Sequence, residues 1–150
     1  MLQMAQQGTK PVKKTVVFTA GTWDLFHVGH LNLIKRSKEL GDFLIVAVST
    51  DELVVSYKKG PPAIPFDERA AILESCKYVD KVVKQSSLIE LSQIKEYNPD
   101  IITIGDDWKD KHLSSLEWFK SQPGKKVIYL PYTSHVSSTK IKEKIKTANF

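Results

Sequence analysis

At 150 residues the chain fits one domain with a full-sized core, and its 41% hydrophobic and 26% charged content is that of a soluble globular protein. No apolar run nears the roughly 20 residues of a membrane span, the start of the chain shows no signal-peptide core, and lone Cys76 excludes an internal disulfide framework, which together point to a cytoplasmic protein without a membrane partner. The net charge of +5 is spread over many lysines and two arginines, Arg36 and Arg69, so it suits a small anionic substrate as well as a polyanion.

Residues 1–14 are polar and aperiodic and read as a flexible leader before a domain spanning 15–150. From Thr15 onward, short apolar strands alternate with helical segments. Strands are expected at 15–20, 43–49, 78–83, 100–104 and 126–130, and helices at 28–40, 66–75, 88–97, 112–121 and 137–146. A continuous apolar run such as Leu44-Ile45-Val46-Ala47-Val48 implies burial on both faces, hence a parallel sheet covered by helices. Gly41 stands where a left-handed C-cap is expected, Pro99 ends the third helix, and Pro123-Gly124 ends the fourth. The alternation predicts an α/β, Rossmann-like doubly wound five-stranded parallel sheet of order 3-2-1-4-5. Its site lies at the C-terminal ends of the strands.

Four segments fall at those ends. Gly21 to His30 follows the first strand and leads into a helix, where free N–H groups and the helix dipole favour an anion. Ser49-Thr50-Asp51-Glu52 follows the second and leads into a loop carrying Lys58-Lys59-Gly60. Gly105-Asp106-Asp107-Trp108 follows the fourth. Tyr132 to Thr139 follows the fifth, and its Ser137, Ser138 and Thr139 open the last helix as a second anion cradle or, for one of them, an N-cap. His27 and His30 serve either as helix-start capping residues or as donors to a phosphate whose charge is changing. A zinc site is weakly supported, because His112 and His135 are distant in sequence and Cys76 has no ligand spacing.

Gly21-Thr22-Trp23-Asp24-Leu25-Phe26-His27-Val28-Gly29-His30 resembles the His-x-Gly-His signature of the nucleotidyltransferase superfamily, and closely its cytidylyltransferase branch. Glu68-Arg69, Lys77-Tyr78-Val79-Asp80, Gly105-Asp106-Asp107-Trp108 and Val136 to Lys142 look like their counterparts in glycerol-3-phosphate cytidylyltransferases, in the same order. The resemblance implies transfer of CMP from CTP to a small phosphorylated alcohol, with magnesium, in a homodimer. It implies catalytic roles for His27, His30 and Lys59. Nucleotide contacts follow for Thr22, Trp23, Asp24, Gly29, Arg69, Asp107, Ser137, Ser138 and Thr139, and substrate contacts for Lys58, Lys77 and Tyr132. Asp24 is placed to orient His27, to help bind magnesium and phosphate, or to act as a turn residue. Arg69 is placed to hold a phosphate or to brace the sheet through Asp80.

Two departures stand out. The family's Arg-Thr-x-Gly-Ile-Ser-Thr segment is Tyr132-Thr133-Ser134-His135-Val136-Ser137-Ser138 here, and the arginine before Tyr-Val-Asp is Lys77. Tyrosine lacks arginine's charged, forked grip, while His135 adds a group that can be charged. An adenylyltransferase using ATP with a sugar phosphate is the alternative within the superfamily; a nucleotide-binding protein without turnover is the alternative outside it. Asp106-Asp107-Trp108 leans against the first. Neither a clustered basic stripe nor an RNA-binding aromatic motif is present, so no nucleic-acid partner is expected, and the absence of a Walker motif argues against an ordinary NTPase.

Overall fold

The computed structural model describes residues 13–148. Most of the expected leader lies outside the described residues. Five strands, β1 (Val16–Gly21), β2 (Phe43–Ser49), β3 (Lys81–Gln85), β4 (Ile101–Gly105) and β5 (Lys126–Leu130), form one parallel sheet in the order β3-β2-β1-β4-β5. The expected topology is therefore the observed one, with the motif strand at the centre.

The helices are α1 (Val28–Glu39), α2 (Asp51–Tyr57), α3 (Phe66–Glu74), α4 (Leu91–Tyr97), α5 (Ser114–Ser121) and α6 (Ser138–Thr147). One face of the sheet packs Val17, Leu44, Val46 and Val48 against Ile34 of α1 and Leu73 of α3. The other packs Phe18, Ile45, Ala47 and Ile102 against Ile94 of α4 and Leu116 and Phe119 of α5. Both faces are covered, which accounts for the unbroken apolar strands. A buried hydroxyl chain fastens α1 to the sheet centre: Ser37 pairs with Thr103, and Thr19 donates to the Thr103 carbonyl.

Three expectations are corrected. The loop after β2 begins as α2. Thr50 accepts from the Leu53 N–H as its N-cap, and Asp51 and Glu52 favour the positive end of the helix dipole. Strand β3 starts at Lys81 rather than 78, because Tyr78 and Val79 belong to a turn and Asp80 accepts from the Leu44 N–H and from Lys38. Gly41 is not left-handed. It is required for another reason: a Cβ there would lie 2.7 Å from the Thr15 carbonyl and from Val17. The left-handed cap is instead Asn98, at the end of α4.

Candidate active site

A cleft of about 540 Å³ opens over the C-terminal ends of β1, β3, β4 and β5. That volume suits a small-molecule ligand. A second cavity of about 430 Å³ adjoins it and shares Thr22, Asp24, Tyr57, Lys58, Ser138 and Thr139 with it.

The β1–α1 turn builds the centre. Trp23 and Leu25 both take left-handed backbone, at φ 58° and 52°. Such strain persists only where the surroundings over-determine it. Here the Trp23 indole is buried, donates to the Ala47 carbonyl at 3.0 Å, and stands edge-on to His30. Trp23, expected as a nucleotide contact, lines the cleft and supports His30.

His27 is the N-cap of α1. Its Nδ1 accepts from the Gly29 N–H at 3.1 Å, while the His30 Nδ1 accepts from the His27 N–H at 3.3 Å. The two rings stack at 3.7 Å between centroids. The capping role and the donor role are therefore compatible. An Nδ1 that accepts carries no proton, so each neutral imidazole holds its hydrogen on Nε2 as a donor. Burial, together with the His27 and Lys58 charges, lowers the His30 pKa to about 3 against the opposing Asp24 carboxylate. Burial also lowers that of His27. Gly29 is required because a Cβ would meet the His27 ring at 2.9 Å and Val136 at 3.3 Å.

Asp24 does not hold His27. Its carboxylate accepts from the Ala63 and Ile64 N–H groups at 2.8 and 2.9 Å and lies 3.5 Å from Lys142. Burial opposes its ionisation, but those N–H groups and Lys142 keep its pKa below the ordinary carboxylate value. Its work is to pin the lysine-bearing loop to the turn. Among the described residues no group of three His, Cys, Asp or Glu side chains is placed to hold a metal, and each Asp24 oxygen already accepts a backbone N–H. A protein-built magnesium or zinc cage does not fit.

Lys58 lines the main cleft, whereas Lys59 lines only the adjoining cavity. Burial and the Lys142 charge depress the Lys58 pKa, with Asp24 opposing and Arg69 adding to the effect. Lys58, expected as a substrate contact, therefore lines both cavities, and Lys59, expected as catalytic, lines the adjoining one. Arg69 is also corrected. Its side chain is fully buried, donating to the carbonyls of Ile64 and Thr22 and to Asp51 at 2.7 Å. It braces the turn through Asp51, not Asp80, and lines neither cavity. Lys77 lies outside the cleft, over the Tyr78 ring before the N-terminal end of β3.

At the other wall, Asp107 and Tyr132 both line the cleft. Burial raises the Tyr132 hydroxyl pKa, as do the charge and hydrogen bonding of Asp107 and the charge of Asp106. Ser137 caps α6 by accepting from the Lys140 N–H, Ser138 donates to the Asp24 carbonyl at 2.7 Å, and Thr139 lines both cavities. The cradle is divided: one residue caps, one ties α6 to the turn. His135 is exposed and does not line the cleft; Val136 does.

Sequence reasoning missed Tyr57, Gln85 and Lys142. Tyr57 lay on the unexpected helix. Lys142 was legible as the residue four after Ser138, on the same helical face.

The family model described as cytidylyltransferase-like matches residues 18–144. The chain belongs to that family. It is a nucleotidyltransferase. Among its relatives, the glycerol-3-phosphate cytidylyltransferase of Bacillus subtilis is 42% identical over 86% of this chain and 95% of its own. The FAD synthase of Thermococcus sibiricus is 40% identical over 89% of this chain and 93% of its own. Among solved structures, the lipopolysaccharide core biosynthesis protein of Thermoplasma volcanium superposes with a TM-score of 0.66 at 26% identity, covering 83% of this chain and all of that one.

Proposed function

We propose that this nucleotidyltransferase moves CMP from CTP to a small phosphorylated alcohol, best read as glycerol 3-phosphate. An oxygen of the alcohol's phosphate attacks the α-phosphorus, the bond to the bridging oxygen of the β-phosphate breaks, and pyrophosphate leaves with that electron pair. The carrying observation is the pair of stacked imidazoles with their Nδ1 atoms occupied by backbone N–H groups. They offer preorganised neutral Nε2–H donors to oxygens that gain charge in the transition state, the arrangement that favours phosphoryl chemistry without covalent catalysis. Lys58 adds the cation beside them, and Asp24 holds its loop in place. Magnesium enters this reading on the nucleotide's own phosphates. A homodimer is carried over from the family resemblance, and a monomeric mass by light scattering would refute it.

CTP is favoured by Gly105-Asp106-Asp107-Trp108 at the end of β4 and by the 42% identical cytidylyltransferase. Adenylyl transfer is the second reading, favoured by the FAD synthases at comparable identity and by Tyr132 in place of the family arginine. Pyrophosphate release with CTP or ATP, each against glycerol 3-phosphate and riboflavin 5′-phosphate, separates the two. Efficient turnover of ATP with the flavin phosphate and none of CTP would replace the first reading with the second.

A further inference from the structure

Gln85, the last residue of β3, is fully buried and lines the cleft. Its Nε2 donates to Ser49 Oγ at 2.9 Å, and its Oε1 has no partner. Tyr57 also donates to Ser49 and pairs with Thr22, so a polar chain runs from the motif turn to Gln85 and stops there unsatisfied. Reversing the amide would leave a nitrogen unpaired at the same place. On its side of the cleft the wall is apolar, formed by Leu88 and Ile89 just beyond β3. A buried polar atom in such surroundings is costly unless a ligand pairs with it.

The sheet order says which ligand. The histidines stand over β1; Asp107 and Tyr132 lie on the β4–β5 side, Gln85 on the β3 side. With the nucleoside on the first side, the acceptor occupies the second. We propose that Gln85 is a specificity-determining residue that pairs with a hydroxyl on the acceptor's carbon skeleton, while the apolar wall holds the carbons. A hydroxyl both donates and accepts, so it satisfies the amide in either orientation. This rests on the reading of the protein as transferring a nucleotide to a phosphorylated alcohol.

The test compares glycerol 3-phosphate with propyl phosphate, which has the same three carbons and no hydroxyl, in wild type and in Gln85→Met. Wild type should prefer glycerol 3-phosphate by about a hundredfold in kcat/KM, since a site built for a hydroxyl rejects the analogue lacking it. Gln85→Met should bring the two acceptors within about threefold, mainly through the acceptor KM, with the nucleotide KM unchanged. A preference that survives in Gln85→Met, or a change confined to the nucleotide, overturns the proposal. Should Gln85→Met not fold, Gln85→Asn, whose shorter amide falls short of the same point, takes its place. If wild type turns over neither phosphate with any nucleotide, the proposed function fails on its own. Calorimetric binding of the two phosphates to wild type and variant then decides the role of Gln85: a wild-type preference lost in the variant supports it, and equal or no binding ends it.

Discussion

His27 and His30 cap the same helix with the same atom. Each imidazole accepts a backbone N–H through Nδ1, and the rings stack at 3.7 Å. The cap that starts α1 is thereby also the device that fixes the tautomer.

His30→Gln separates the two roles. Glutamine three residues into a helix can still accept the N-cap N–H, so the helix start should survive. The rigid Nε2–H donor is lost. Turnover should fall by about 10²–10³, as when one donor to a developing oxyanion is removed, with the circular dichroism spectrum unchanged. Near wild-type rates with both CTP and ATP would end the catalytic reading.

The same residue should make stability fall with acidification. His30 has a pKa of about 3 in the folded protein against 6.5 as a free side chain. Between those values the unfolded chain binds a proton that the folded one refuses. The contribution is complete above about pH 6.5 and declines as pH falls toward about 3. From pH 7 to pH 5, wild type should lose about 1–2 kcal/mol more than His30→Gln in urea denaturation. Carboxylate effects cancel in that comparison, so equal losses would refute the half-buried neutral imidazole.

Lys58 and Lys59 make a paired test of the loop. Lys58 is exposed but lines the main cleft near His30, and Lys59 does not. Lys58→Met should reduce kcat by about a hundredfold or more, since its charge is needed most as the transition state forms. Lys59→Met should stay within about threefold of wild type. The reverse order would return the catalytic role to Lys59.

The fold was legible because every strand but β3 carried its boundaries to within one residue in its apolar run, and the Gly21–His30 turn announced the centre of the sheet. What escaped was determined by contacts between distant segments. Arg69 reads like a ligand for phosphate, yet its donors end on Thr22, Ile64 and Asp51, none adjacent in sequence. Gln85 reads as one polar residue at a strand end, and only the sheet places it on the cleft wall with an unpaired oxygen. For α2 the signal was present: Thr50 followed by Asp51 and Glu52 is a helix start, obscured by the β-branched pair Val54-Val55.

Arg69 should therefore behave as structure. Arg69→Met strands Asp51 and the two carbonyls, and should cost about 3 kcal/mol or more in denaturant unfolding. Arg69→Lys should recover little, because an ammonium cannot reach three acceptors in a plane. The folded fraction should keep a nucleotide KM within about threefold of wild type. A large rise in KM at unchanged stability would restore the phosphate-binding role.

Tyr132 stands where the resembled family pattern has an arginine. Its ring lines the cleft but is 58% exposed, and partial desolvation and the Asp107 carboxylate raise the pKa of its hydroxyl. A neutral phenol brings no charge to the triphosphate, whereas arginine brings a fork that Asp107 would also orient. Tyr132→Arg should thus lower the KM for CTP by about tenfold, equivalent to about 1.4 kcal/mol and within the range of one charge-assisted hydrogen bond. His135→Gly should leave base preference unchanged, because His135 is exposed and outside the cleft. If Tyr132→Arg instead weakens CTP while ATP is the efficient substrate of the natural protein, Tyr132 serves an adenine nucleotide. The cytidylyl assignment would then give way, with the histidine pair and its chemistry untouched.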